Sequence, residues 1–176
     1  MTSGAGHDAV VIGAGPAGLA ASRQLQARGI DHVVFERGSV GDSWSRVYDS
    51  LTLHTGKHMS ALPGLRFPTS APLFLPKDEF LEYLHRYRSK FELPIVTDRN
   101  VGAVTREDGA WRIASSGGQV TARALVVATG IMSNPRVPEL EGISDFRGTV
   151  RHSVTYRRPD QYRGKRVLVV GAGNSA

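Results

Sequence analysis

The chain has 176 residues, 40% of them hydrophobic, with 22 Lys plus Arg against 16 Asp plus Glu, a formal charge of +6 and no cysteine. That is the size of one soluble globular domain, or of one domain and the beginning of another, and the missing cysteine removes disulfide frameworks, thiolate metal sites and redox dithiols. Apolar runs such as Ala124–Ala128 and Val167–Val170 are far short of the roughly 20 residues of a membrane-spanning helix, and Met1–Asp8 has neither the basic start nor the apolar stretch of a signal peptide, so a cytoplasmic protein with no membrane partner is expected.

Ala9–Gly13 is a short apolar run stopped by glycine, and Pro16–Arg28 carries Ala17, Leu19, Ala20, Ala21, Leu25 and Ala27 at helical spacing. Gly29 closes that helix, and Val33–Phe35 reads as a second buried strand ending at Glu36. The order is βαβ. Residues 38–76 show no clear period and read as a loop-rich stretch long enough to cover a ligand. Pro76 opens an amphipathic helix with Phe80, Leu81, Leu84, Tyr87 and Phe91 on its core face.

Three short strands, Asn100–Arg106, Trp111–Ser115 and Gly118–Ala122, are separated by Asp108-Gly109 and Gly117-Gly118 and predict an antiparallel meander. Leu125–Ala128 predicts another buried, parallel-type strand, followed by Thr129-Gly130 and a connection with Pro135 and Pro138. Arg166–Val170 predicts the first strand of a second dinucleotide-binding unit, which stops at Ala176 before its helix, so the chain reads as a fragment. The expected fold class is α/β: a Rossmann-like FAD/NAD(P)-binding domain with a parallel sheet and a small antiparallel meander, plus that first strand.

Two glycine turns carry the chemistry. Gly13-Ala14-Gly15-Pro16-Ala17-Gly18 is a G-x-G-x-x-G between a predicted strand and helix, and Glu36 stands 18 residues after Gly18, at the end of the second strand. Gly13 allows the tight turn, Gly15 lets a pyrophosphate approach the backbone, Gly18 lets the helix pack closely, and the helix start offers free amides to the anion. A carboxylate at Glu36 accepts hydrogen bonds from ribose hydroxyls and repels a 2′-phosphate, so the ligand expected there is FAD or NAD. The second turn, Gly171-Ala172-Gly173-Asn174-Ser175-Ala176, is a G-x-G-x-x-A after Val167–Val170, and two such turns imply electron passage between a nicotinamide and a flavin.

Phe146-Arg147-Gly148-Thr149-Val150-Arg151-His152-Ser153-Val154-Thr155-Tyr156 resembles F-x-G-x-x-x-H-x-x-x-[Y/F], the identifying motif of the flavin-containing monooxygenases. Ala128-Thr129-Gly130 is similar to that family's A-T-G segment, where the chain leaves the flavin domain. Gly41-Asp42-Ser43-Trp44 resembles its G-G-x-W with Asp42 in place of the second Gly, a residue able to tolerate left-handed backbone. Leu53-His54-Thr55-Gly56-Lys57-His58 is similar to the segment lining the flavin ring, with His54 as in the plant, YUCCA-like branch.

The resemblance implies an enzyme: an FAD-dependent, NADPH-consuming monooxygenase acting on a small organic molecule with O2. FAD would be held by Gly13, Gly15, Pro16, Ala17, Gly18, Glu36 and Arg37, with Ser43, Trp44, His54 and Thr55 near the ring and Ala128, Thr129 and Gly130 beside it. NADPH would meet Gly171, Gly173, Asn174 and Ser175. It implies an FAD-binding part over 1–141, a linker over 142–164 holding Phe146, Gly148, His152 and Tyr156, and the start of an NADPH-binding part over 165–176. No catalytic residue is assigned beyond His54 as a candidate, and His152 would orient the domains. Tyr156-Arg157, where the Baeyer–Villiger branch has Trp and then Pro or Asp, favours N- or S-oxidation or a YUCCA-like oxidative decarboxylation.

Other readings stay open at this point. They are a Baeyer–Villiger enzyme, a cysteine-free FAD-dependent NAD(P)H reductase, and a basic nucleic-acid-binding domain. The last draws on the seven basic residues between Arg147 and Arg166 (Arg147, Arg151, Arg157, Arg158, Arg163, Lys165 and Arg166) set against Asp160, and a solvated surface accounts for these charges equally well, so no nucleic-acid partner is expected. His54 and His58 are four apart, but Gly56 disfavours a shared helix and no Glu follows His54, so no metal is expected. Glu79 and Glu82 read as solvated charge, and Trp111 as core.

Overall fold

The computed structural model describes residues 6–171 and 173. β1 (Gly6–Ile12), α1 (Pro16–Gln26) and β2 (His32–Phe35) form the βαβ unit, with β1 and β2 parallel and in register from Ala9–His32 to Ile12–Phe35. Leu19 on α1 is fully buried, which contributes about 2 kcal/mol. The helix ends two residues before the expected Arg28. Gly29 takes φ +66° and the amide of Ile30 turns back to the carbonyl of Leu25 at 3.1 Å, a closure that a left-handed residue permits.

The stretch expected to be loop is more ordered than its period indicates. It holds α2 (Asp42–Ser45), β3 (Thr52–Gly56), α3 (Lys57–Ser60) and β4 (Phe74–Pro76), and β3 and β4 pair as a two-stranded antiparallel sheet. Elements this short are set by partners distant in sequence, which periodicity does not register. Two such partners are polar. Lys57 Nζ donates to the carbonyls of Pro68, Thr69 and Ala71 at 3.2, 2.8 and 2.5 Å. Tyr83, on α4 (Lys77–Phe91), accepts from the amide of Leu62 at 2.6 Å and donates to the carbonyl of Leu65 at 2.7 Å.

After β5 (Ile95–Val96) come β6 (Val101–Glu107), β7 (Ala110–Ser115) and β8 (Gly118–Val127), and the six-stranded sheet runs β5-β2-β1-β8-β7-β6. Here the expectation of two strands is corrected. Gly118–Ala122 and the run from Leu125 belong to one strand, antiparallel to β7 over Gly118–Ala122 and parallel to β1 over Thr121–Val127. Leu125–Ala128 is half-buried rather than buried, with Val127 exposed. One face of the sheet packs Val11 and Val34 against Leu19, Leu84 and Tyr87, and the other packs Val10, Val33 and Phe35 against Ile113 and Ala122 of the meander. Trp111 is partly buried against that second face.

A second correction falls at residues 166–170, which form no strand. Val167, Leu168, Val169 and Val170 are all exposed. A strand is made by its ladder, and among the described residues no neighbour pairs with this run.

Candidate functional site

The first glycine turn is fastened by three backbone hydrogen bonds, from β2, from the end of β8 and from the turn before residue 42. The amide of Gly13 donates to the carbonyl of Phe35 at 2.7 Å, that of Ala128 to Ile12 at 2.8 Å, and that of Gly41 to Ala14 at 3.1 Å. Gly13 sits at φ +103°, and a Cβ there would stand 2.4 Å from the carbonyl oxygen of Ala128; a Cβ on Gly18 would stand 1.8 Å from the carbonyl oxygen of Gly13. Both positions therefore demand glycine by crowding. Gly15 differs, since a Cβ there would meet nothing within 4 Å. The crowded glycines lie behind the turn and the open one in front of it, where α1 begins.

That helix start has no side-chain cap and no acidic residue in its first turn, and Pro16 occupies its first position. The amides of Ala17 and Gly18 fall where no helical carbonyl reaches, whereas Leu19 already bonds to Gly15 at 3.0 Å. Amides without a helical partner at the positive end of an 11-residue helix, next to the open Gly15, suit an anion.

Glu36 is buried and braces the turn. Its Oε2 accepts from the amide of Ala14 at 2.7 Å and its Oε1 from the amide of Gly38 at 3.0 Å. Each oxygen keeps further lone-pair capacity. The carboxylate thus has a structural task in addition to the ribose contact expected of it. Arg37 is exposed and reaches Ser133 Oγ at 3.2 Å.

Left-handed backbone in the next turn falls on Gly41, at φ +73°, and not on Asp42, which is the first residue of α2. Departure from G-G-x-W at Asp42 therefore costs the turn nothing. Ser43 and Trp44 are half-buried, and the Trp44 ring meets Phe80 edge-on at 4.8 Å. On β3, Leu53 is buried while His54 and Thr55 are exposed, the Thr55 hydroxyl bonding Ser60 at 2.7 Å. His54 lies on a strand and His58 on a helix, and among the described residues no group of three or more His, Asp or Glu is placed to hold a metal. Glu79 and Glu82 are exposed.

Of the residues expected to serve one site, the structure joins Gly13–Gly18, Glu36 and Ala128 directly, and it adds Gly41, which is not among them. Gly130 follows at φ +70°, with Thr129 exposed before it. Phe146 is exposed, with its ring over Gly148, where a Cβ would come within 2.4 Å of it. His152 caps the 3-10 turn Ser153–Thr155, its Nδ1 accepting from the amide of Val154 at 3.1 Å. The Tyr156 ring lies between Tyr48 at 6.1 Å and Tyr162 at 5.9 Å. Gly171 has φ +130°, and a Cβ on Gly173 would meet no described atom within 4 Å; Asn174 and Ser175 lie outside the described residues.

Much of the basic cluster is spent inside the chain. Arg151 donates to Gln161 at 2.9 Å, Arg157 to the carbonyls of Val154 and Tyr156, and Arg163 to Asp160 at 3.2 Å, while Arg158 pairs with Asp49. Asp49 also faces Lys77, a buried lysine 3.3 Å away. The Arg158 hydrogen bond, then that of Lys77, holds the Asp49 carboxyl below its ordinary range. Lys77 and Asp49 carry no sequence signal, because a charged side chain reads as solvated until its partner is known. Tyr83 does carry one: it is three residues after Phe80 and four before Tyr87, and it belongs to the same core face.

A βαβ unit with a crowded, braced glycine turn opening onto a free helix start defines a dinucleotide-binding α/β domain. A family model described as pyridine nucleotide-disulphide oxidoreductase matches residues 10–176, and the chain belongs to that family. It does so without the cysteines of disulphide chemistry. The chain is 43% identical to "Indole-3-pyruvate monooxygenase YUCCA1" of Oryza sativa subsp. japonica over 95% of its own length and 42% of that protein's. Among solved structures it is similar to a mutant flavin monooxygenase from Stenotrophomonas maltophilia, with a TM-score of 0.92, 34% identity, and 97% of this chain and 52% of that one covered. It is also similar to OTEMO in complex with FAD and NADP, with a TM-score of 0.65, 26% identity, and 81% and 29% covered. The chain thus spans less than half of the length of the curated relative, and among the described residues no helix is long and apolar enough to cross a membrane.

Proposed function

We propose that this chain is the flavin-binding portion of an FAD-dependent, NADPH-consuming monooxygenase that transfers one oxygen atom of O2 to a small organic substrate. The observation carrying the reading is the contrast within the first turn, where Gly13 and Gly18 are closed by backbone and Gly15 is open. An unbranched backbone facing a free helix start fits a pyrophosphate and has no other evident use. In this reading the amides of Gly15, Ala17 and Gly18 bind the pyrophosphate, Pro16 fixes the first turn, and Glu36, with Arg37 beside it, takes the ADP ribose. Ser43, Trp44, His54 and Thr55 line the ring site, and Ala128, Thr129 and Gly130 shape its floor. Bound flavin supplies the redox chemistry between the nicotinamide, O2 and substrate. The protein's residues orient it and keep water out.

Residues 1–141 form the flavin-binding part in this proposal, 142–164 the linker, and 165–176 the start of the NADPH-binding part, with Gly171, Gly173, Asn174 and Ser175 at the nicotinamide dinucleotide. The Tyr156-Arg157 pair and the likeness to an indole-3-pyruvate monooxygenase support heteroatom oxidation or oxidative decarboxylation. A competition between a sulfide, an α-keto acid and a cyclic ketone checks this, and lactone as the main product would overturn it. Because residues 166–170 form no strand, these 176 residues alone are expected to give no steady NADPH oxidation at 340 nm above a buffer control.

The test of the whole reading is FAD itself. The longer protein is expected to purify yellow, and Glu36→Arg to lose the flavin, since a bulky cation removes the ribose acceptor and unpairs the amides of Ala14 and Gly38. A colourless parent protein that also fails to bind added FAD would refute it.

A further inference from the structure

Four contacts converge on two consecutive residues of the loop between α2 and β3. The Tyr48 ring meets Tyr156 at 6.1 Å. The amide of Asp49 donates to the carbonyl of Arg157 at 3.1 Å. One carboxylate oxygen of Asp49 accepts from Lys77 Nζ at 3.3 Å and the other from Arg158 Nε. Lys77 is the first residue of α4, is buried, and also donates to the carbonyl of Val47 at 3.2 Å. Asp49 therefore stands between a cation fixed in the body of the domain and a cation on the segment more than 100 residues later.

We propose that Asp49 is a positioning residue that docks the segment Ser153–Arg158 onto the body of the domain, with Lys77 as its anchor and Arg158 as its catch. The two arms are unequal for a physical reason. Lys77 lost its hydration on burial and depends on Asp49 and Val47, while Arg158 is exposed and screened by salt. Lys77 thus fixes the carboxylate, and Arg158 engages or leaves it. The charged groups facing Asp49 are these two, with Asp160 behind Arg158. The docked segment contains Tyr156 and is preceded by His152, so the motif that singles out this chain would be held at a set distance from α2, which carries Ser43 and Trp44. That consequence rests on the proposed function; the docking does not.

Amide hydrogen exchange on the full chain, with and without added FAD, tests it. In Asp49→Asn the amides of residues 49 and 154–156 are expected to exchange at least roughly fivefold faster, while those of β1 and α1 stay unchanged and any FAD affinity stays within about twofold. Should Asp49→Asn fail to fold, Arg158→Ala decides, because it leaves the Lys77 arm intact; the same local acceleration is expected, reversed by Arg158→Lys. Protection unchanged in Asp49→Asn and Arg158→Ala, or an Arg158→Lys variant as open as Arg158→Ala, would overturn the proposal. Failure of the parent chain to bind FAD would count against the proposed function alone.

Discussion

The chain contains G-A-G twice, at Gly13–Gly15 and Gly171–Gly173, each after an apolar run, and among the described residues only the first of these runs is paired into a sheet. The first has a paired strand on each side of it, a helix starting from it and a buried carboxylate bracing it. The second follows four exposed residues that pair with nothing among the described residues. The comparison teaches that a glycine motif is permission, and that the neighbours which crowd Gly13 and Gly18 supply the demand.

The sharpest way to break the comparison is to add a methyl group to each turn. Gly18→Ala is expected to lose roughly 3 kcal/mol or more, because its Cβ would lie inside the carbonyl of Gly13 and backbone has little room to yield. Gly173→Ala, with nothing within 4 Å, is expected to change stability by less than about 0.5 kcal/mol. Urea denaturation of both variants checks the difference, and equal losses would show that the two turns are alike.

Next in size is Glu36→Gln, which keeps the shape and removes one acceptor, leaving the amide of Ala14 or of Gly38 facing an NH2 group. A loss of about 1–3 kcal/mol is expected from the unsatisfied buried donor, measured by the same denaturation. Gly15→Ala sharpens the distinction from the other side. Its stability is expected to stay within about 1 kcal/mol, while FAD affinity, read by flavin fluorescence, falls at least tenfold because the methyl group occupies the open approach.

The smallest effect is a pH signature of the core under the first turn. Burial raises the Tyr83 hydroxyl and pushes Tyr87 up to about 12. A folded pKa above the unfolded one means that this stabilisation is complete below the unfolded tyrosine value near 10 and is lost as pH rises from there through about 12. Thermal melts across that window are expected to fall more steeply for the parent than for Tyr87→Phe, which has no proton to lose and forfeits only the bond to Pro63.

The sequence by itself determined the βαβ unit, the amphipathic α4, the meander and the placement of Glu36, because each is written in a local period, a turn dipeptide or a fixed offset within about 30 residues. It also placed the family motif, since four residue types at set spacing need no fold to be recognised. Tertiary structure decided the rest. It merged two expected strands into β8, because a strand's length is set by its partners on either side. It gave residues 166–170 no strand, because none of the described residues pairs with them. It organised residues 38–76 through Lys57, Lys77 and Tyr83, whose polar groups act across separations of 11 to 30 residues. Periodicity reports which face of an element is apolar; it is silent on which charge will be buried, because that depends on a partner elsewhere in the chain, as Lys77 depends on Asp49.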